Sequence, residues 1–192
     1  MINELHFVYG VMGCSKSAGA LMTKFNYEQQ GFKVLLLKST LDTRDKNSGN
    51  IVVKSRIGLE APAITFSQKT SMKNLFKKHK ADIIIVDECQ FCTVKQIDEL
   101  KELSEIVPVT CYGLKTDFRT KLFPGSKRLI EVADKLTELF SVCECGKPAI
   151  FNARFSNGKL VTSGSVIEIG GDEKYKALCY SCYNKKKQNK TR

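Results

Sequence analysis

A chain of 192 residues with 42% hydrophobic residues is long enough to bury one sizeable core, with or without a small appendage, and its net charge of +11 favours polyanionic ligands such as nucleotides. It contains no long uncharged apolar run and no basic-then-apolar leader, so it is expected to be soluble, unexported and cytoplasmic, with no membrane partner. Eight cysteines in such a chain favour reduced thiols or metal ligands over a disulfide framework.

The first predicted element is an apolar strand from Leu5 to Tyr9. It runs into Gly10-Val11-Met12-Gly13-Cys14-Ser15-Lys16-Ser17 and then a helical pattern from Ser17 to Gln30, which is the layout of a P-loop. Inward-pointing N–H groups of such a turn, together with the start of the helix, form a nest for phosphates. Lys16 would then reach the outer phosphates and the Ser17 hydroxyl would hold Mg²⁺. The regular pattern has glycine where this chain has Ser15, and Gly13 restores some of the lost freedom. If the turn requires a left-handed backbone there, serine costs on the order of 1 kcal/mol. The plain alternative is a glycine- and serine-bearing turn that merely carries a lysine.

Further along, strands are predicted at Val34 to Leu37, Ile83 to Val86 and Val107 to Tyr112, with helices at Ser71 to His79 and Val94 to Ser104. Continuous apolar strands with crossover helices describe an α/β fold with a mainly parallel sheet buried on both faces, whose ligands bind at the carboxyl ends of the strands. The polar stretch from Ser39 to Ile57 reads as a loop. Its Asp42 and Arg44 either face the phosphates or metal or belong to an ordinary solvated cluster.

Ile83-Ile84-Ile85-Val86-Asp87-Glu88 is a buried strand ending in two carboxylates, a placement that needs a partner or a purpose. Beside a P-loop, Asp87 is the candidate for Mg²⁺ or one of its waters, which leaves Glu88 to act on a nucleophile. That nucleophile is water in an NTPase and an alcohol in a kinase, and the motif does not decide between them. Cys143 and Cys145 precede a long insert that ends at Cys179 and Cys182; two close pairs of this kind suit a tetrahedral structural Zn²⁺ site. Cys14, Cys89, Cys92 and Cys111 read as reduced, partly buried thiols, and His6 and His79 as structural. Residues 1–140 are therefore expected to form the P-loop domain, 141–184 a small zinc ribbon, and 185–192 a basic, disordered tail whose plainest role is solubility.

Together Gly10 to Ser17, Asp42-Thr43-Arg44, Ser55 to Leu59, Asp87 to Phe91, Cys111 to Arg119, Cys143 to Gly146 and Ile169 to Tyr175 resemble the zinc-containing thymidine kinases, closest to their bacterial branch. The resemblance implies transfer of the γ-phosphoryl group of ATP to the 5′-hydroxyl of thymidine or deoxyuridine, giving dTMP in pyrimidine salvage. It puts Gly10, Val11, Met12, Gly13, Cys14, Ser15, Lys16, Ser17, Asp42, Arg44, Asp87 and Gln90 on the ATP side, with Ser17 and Asp87 at Mg²⁺ and Glu88 as the base. Met12, Phe91, Leu114, Phe118 and Phe123 correspond to the base pocket, although for these aromatics ordinary core packing is the plain reading. Val166, Glu168, Gly170 and Tyr175 correspond to a flexible lasso that closes over the pyrimidine, and Cys143, Cys145, Cys179 and Cys182 to the Zn²⁺ ligands. Feedback inhibition by dTTP and a homotetramer are further implications of the family. Two other readings compete: a catalytically weakened nucleotide-binding member, on the strength of Ser15, and a zinc-ribbon ATPase that binds nucleic acid. The second lacks an interleaved basic and aromatic face, so no nucleic-acid partner is expected.

Overall fold

The computed structural model describes residues 2–42, 51–166 and 174–188. Its main sheet has six parallel strands in the order β5-β2-β6-β7-β1-β8. These are β1 (Leu5–Tyr9), β2 (Val34–Ser39), β5 (Ile64–Phe66), β6 (Ile83–Asp87), β7 (Val109–Gly113) and β8 (Lys135–Glu138). Between β2 and β5 a short antiparallel hairpin forms from β3 (Val52–Lys54) and β4 (Glu60–Pro62). The α-helices are α1 (Lys16–Gln29), α2 (Met72–His79), α3 (Val94–Ser104), α4 (Pro124–Val132) and α5 (Tyr180–Gln188).

Alternation along β6 sends Ile83 and Ile85 to one face of the sheet and Ile84 and Val86 to the other. The first pair packs with Val8, Leu36, Tyr112 and the α1 residues Ala20 and Leu21. The second joins Phe7, Leu37, Met72, Ile97, Leu100 and Leu129, which come from the strands and from α2, α3 and α4. A strand apolar on both sides is stable only when covered on both sides, so the expected parallel α/β layers are present. The helices on the second face are tied at their starts. Thr93 and Gln96 form a reciprocal capping box on α3, and Glu99 of α3 accepts from the N–H groups of Met72 and Lys73 at the start of α2.

The C-terminal part builds a second layer from β9 (Phe151–Ser156), β10 (Lys159–Val161) and β11 (Tyr175–Leu178), antiparallel in the order β10-β9-β11. Phe151, Ala153 and Phe155 pack with Leu160, Leu178 and Tyr183, and Val11 of the β1–α1 turn enters the same cluster. The small layer is thus seated on the turn that follows β1. α5 runs to Gln188, so Lys185, Lys186 and Lys187 are helical where a disordered tail was expected from residue 185. The helix is anchored by buried Tyr183, and cationic side chains in its last turn suit the negative end of the helix dipole. Among the described residues no helix is long and apolar enough to cross a membrane.

Candidate active site

The turn after β1 is built on two left-handed residues, Gly13 at φ +80° and Ser15 at φ +62°. Ser15 therefore adopts the conformation that glycine would take without strain, at a cost of about 1 kcal/mol or more. It is the N-cap of α1 but makes no side-chain capping bond. The cap side chain therefore leaves the first-turn N–H groups of α1 to other partners, as an anion site requires. Lys16 is buried and folds back over the turn, with Nζ donating to the carbonyls of Val11 at 2.7 Å and Gly10 at 3.3 Å. Close packing holds the turn's first residue: a Cβ on Gly10 would lie 2.5 Å from Cys14 Sγ and 2.9 Å from the Leu139 carbonyl.

β6 ends at Asp87, which is 3% exposed and accepts a hydrogen bond from Ser17 Oγ at 2.9 Å. Two oxygen donors converging there suit a hard cation such as Mg²⁺. Glu88 turns the chain out of the strand in a left-handed conformation, φ +55°, and begins the 3-10 turn Cys89–Phe91. Its carboxylate accepts from Gln90 Nε2 at 2.5 Å, while Gln90 Oε1 accepts from the Leu114 N–H at 3.0 Å. Gln90 thus braces Glu88 against the end of β7. The brace needs Gly113 beneath it, since a Cβ there would lie 2.6 Å from Cys89 Sγ and 2.7 Å from Gln90 Oε1.

These elements border a cleft of about 310 Å³. Its lining includes Met12, Gly13, Ser15, Lys16, Ser17 and Asp42, with Glu88 and Gln90. Phe91, Leu114, Phe118, Phe123, Val166 and Tyr175 also line it, as do the charged Lys54, Arg56 and Asp117. Gly10, Val11, Cys14 and Asp87 stand behind this surface, the first three supporting the turn and Asp87 acting through Ser17. The Asp42 side chain is 6% exposed and pairs with Lys38 at 3.4 Å, so it is not part of a solvated cluster. Arg44, Glu168 and Gly170 lie outside the described residues. The aromatic residues combine packing with exposure to the cleft: Phe91 and Phe123 meet edge to face at 6.0 Å, and Phe118 is buried with one side on the cavity.

Sequence reasoning missed Asn152. From β9 its Oδ1 accepts from the Met12 N–H at 2.7 Å and its Nδ2 donates to the Thr116 carbonyl at 3.3 Å. One amide therefore joins the phosphate turn, the loop after β7 and the small sheet. The alternation Phe-Asn-Ala-Arg-Phe at 151–155 carried a signal, but its polar side ordinarily marks a face turned to solvent.

The four cysteine sulfurs of Cys143, Cys145, Cys179 and Cys182 all lie within 4.8 Å of one another. Four thiolates at about 2.3 Å from a tetrahedral Zn²⁺ stand about 3.8 Å apart, and Cys145 and Cys179 are 3.6 Å apart. The donor set and its spacing fit a structural zinc ion. A backbone hydrogen bond from Cys182 pulls the Cys179 thiol down to about 7, and hydrogen bonding with Cys145 pushes Cys182 up to about 12. Cys14, Cys89, Cys92 and Cys111 are free and fully rather than partly buried. Burial raises the pKa of both Cys89 and Cys92, which keeps them neutral thiols.

The family model described as thymidine kinase matches residues 3–183. The chain belongs to the thymidine kinase family. Among its relatives, the thymidine kinase of Zymomonas mobilis subsp. mobilis is 44% identical over 183 residues, covering 92% of this chain and 93% of that protein. That of Photorhabdus laumondii is 40% identical over 187 residues, covering 94% and 92%. That of Legionella pneumophila strain Paris is 37% identical over 196 residues, covering 98% and 92%. Membership in the thymidine kinase family thus extends over both layers, the parallel sheet and the four-cysteine lobe.

Two outcomes are expected from these geometries. Replacing Ser15 with glycine relieves a left-handed corner, so thermal unfolding should shift upward by an amount corresponding to about 1 kcal/mol or less, with ATP affinity by calorimetry unchanged or improved. Elemental analysis of the purified chain should find about one zinc per chain, and Cys145→Ser should lower that occupancy and the melting temperature together.

Proposed function

We propose that the chain is an ATP-dependent thymidine kinase that moves the γ-phosphoryl group to the 5′-hydroxyl of thymidine or deoxyuridine. The observation that carries this reading is that Glu88 lines one cleft together with Lys16 and Ser17 of the turn after β1 and with Phe91, Leu114, Phe118 and Phe123. A carboxylate in such a cleft can take the proton from a sugar hydroxyl as the hydroxyl attacks phosphorus. The Gln90 amide holds the acceptor oxygens in one orientation, which favours a single angle of approach.

On the phosphate side, Lys16 leaves the Val11 and Gly10 carbonyls and pairs with the outer phosphates, while N–H groups at the start of α1 hold the remaining oxygens. Mg²⁺, held through Ser17 and Asp87, would supply neutralisation of charge on the transferring group. Asp42 supports this side through its pair with Lys38, and Arg44 is assigned to it by family resemblance. Phe91, Leu114, Phe118 and Phe123 with Met12 form the base pocket beside Val166 and Tyr175, and Glu168 and Gly170 are assigned to it by family resemblance. Enclosure keeps water from competing for the phosphoryl group. Residues 1–140 thus bind the donor and residues 141–184 complete the acceptor site around zinc. Four buried thiols outside the zinc set suit a reducing, cytoplasmic setting. Inhibition by dTTP and a homotetrameric assembly complete the reading as family properties.

The test is phosphoryl transfer from Mg·ATP to thymidine, with Glu88→Gln beside the parent. Parent turnover is expected, with a fall of about 100-fold or more in kcat for the variant and thymidine KM changed only a few-fold. ATP hydrolysis that ignores thymidine and responds to DNA would replace this reading with that of a nucleic-acid ATPase.

A further inference from the structure

β9 divides its side chains between two tasks. Phe151, Ala153 and Phe155 enter the small apolar core, while Asn152 and Arg154 point to the opposite side. That opposite side is not solvated: Arg154 is 4% exposed. Burying a guanidinium is costly, so the contacts made in return indicate what the site needs. Its Nη1 donates to the Ser165 carbonyl at 2.8 Å and its Nη2 to the Ser163 carbonyl at 3.3 Å. Its Cζ lies 3.7 Å from the centroid of the Phe118 ring. The Phe118 carbonyl is in turn held by the Tyr183 hydroxyl at 3.2 Å.

The backbone between the two carbonyls is fitted to this fork. Gly164 has φ +115°, and a Cβ there would lie 3.2 Å from Nη2. The next residues along each arm face the ligand space: Val166 follows Ser165 and lines the cleft, as does Phe118. Tyr175, opposite Arg154 in the β9–β11 register, is a third wall of the same space.

We propose that Arg154 is a positioning residue for nucleoside recognition, a clamp that fixes the Ser163–Val166 segment and the Phe118 ring at one separation and so sets the width of the base pocket. It does not itself line the cleft, and its contacts lead to Phe118 and to the residue before Val166, so it acts on acceptor binding rather than on donor binding. Lysine cannot replace it, because a point charge cannot hold two carbonyls in a fork and stack flat on a ring. This inference rests on the reading above, in which Phe118 and Val166 border the pyrimidine.

The experiment varies thymidine and ATP separately for Arg154→Lys, Arg154→Met and Gly164→Ala, with zinc content and melting temperature measured alongside. In the arginine variants thymidine KM should rise about tenfold or more while ATP KM stays within about twofold and zinc is retained. Gly164→Ala keeps the guanidinium but crowds it, and should raise thymidine KM alone by a smaller factor; it decides the matter if the arginine variants do not fold. Thymidine KM unchanged in every folded variant, or thymidine and ATP KM rising together, would overturn the clamp. If the parent itself does not phosphorylate thymidine, the functional reading falls and the clamp falls with it, whereas parent turnover with an unmoved thymidine KM removes the clamp alone.

Discussion

The hydrogen bond from Ser17 to Asp87 joins the beginning of α1 to the tip of β6, a strand separated by β7 from β1, the strand that α1 follows. Asp87 is a buried carboxylate that needs donors, and the Ser17 hydroxyl supplies one. Their contact ties the start of α1, next to Lys16, to the strand end that leads into Glu88. The strand between them must not intrude. β7 ends at Gly113, whose missing side chain leaves room for Cys89 and Gln90.

Backbone strain is present on both sides of that contact. Ser15 and Glu88 are both non-glycine residues in the left-handed region, each costing on the order of 1 kcal/mol or more. Each is held by what surrounds it. Ser15 is fixed by helix initiation, including the bond from the Gly19 N–H to its carbonyl, and Glu88 by the Gln90 brace and the 3-10 turn. The small sheet adds a second set of ties, from Asn152 to Met12 and from Arg154 to Phe118. Met12 and Phe118, both on the cleft, are therefore supported from one strand, β9, and the proposed zinc ion would stiffen the layer to which that strand belongs.

Much of this was legible in the chain itself. Continuous branched runs such as Ile83–Val86 announce buried parallel strands, and the four strands and three helices read from such patterns are present within about two residues at each end. Apart from β9, whose alternation was legible, the strands that escaped notice are short or polar. β8, Lys-Leu-Thr-Glu, is an edge strand held by pairing with β1 rather than by burial, and the three residues each of β3, β4, β5 and β10 are too few for a period to register. α4 was also missed, although Pro124 at its first turn is a helix-start signal. The phosphate turn, the carboxylate pair and the cysteine spacing declared themselves because their chemistry is local in sequence. Asn152 and Arg154 did not, since a polar residue on alternate strand positions normally means water. Only the docking of the small sheet on the turn after β1 converts that face into the inside of a site.

The central claim is that one cleft holds a nucleoside hydroxyl at Glu88 while the turn after β1 presents a triphosphate to it. A crystal structure with thymidine, Mg²⁺ and a non-hydrolysable ATP analogue tests this most directly. The account predicts the 5′-oxygen within about 3 Å of the Glu88 carboxylate and Lys16 Nζ moved from the Val11 carbonyl to the terminal phosphate. Thymidine bound elsewhere, or a lysine still folded on the turn beside an ordered triphosphate, would contradict it.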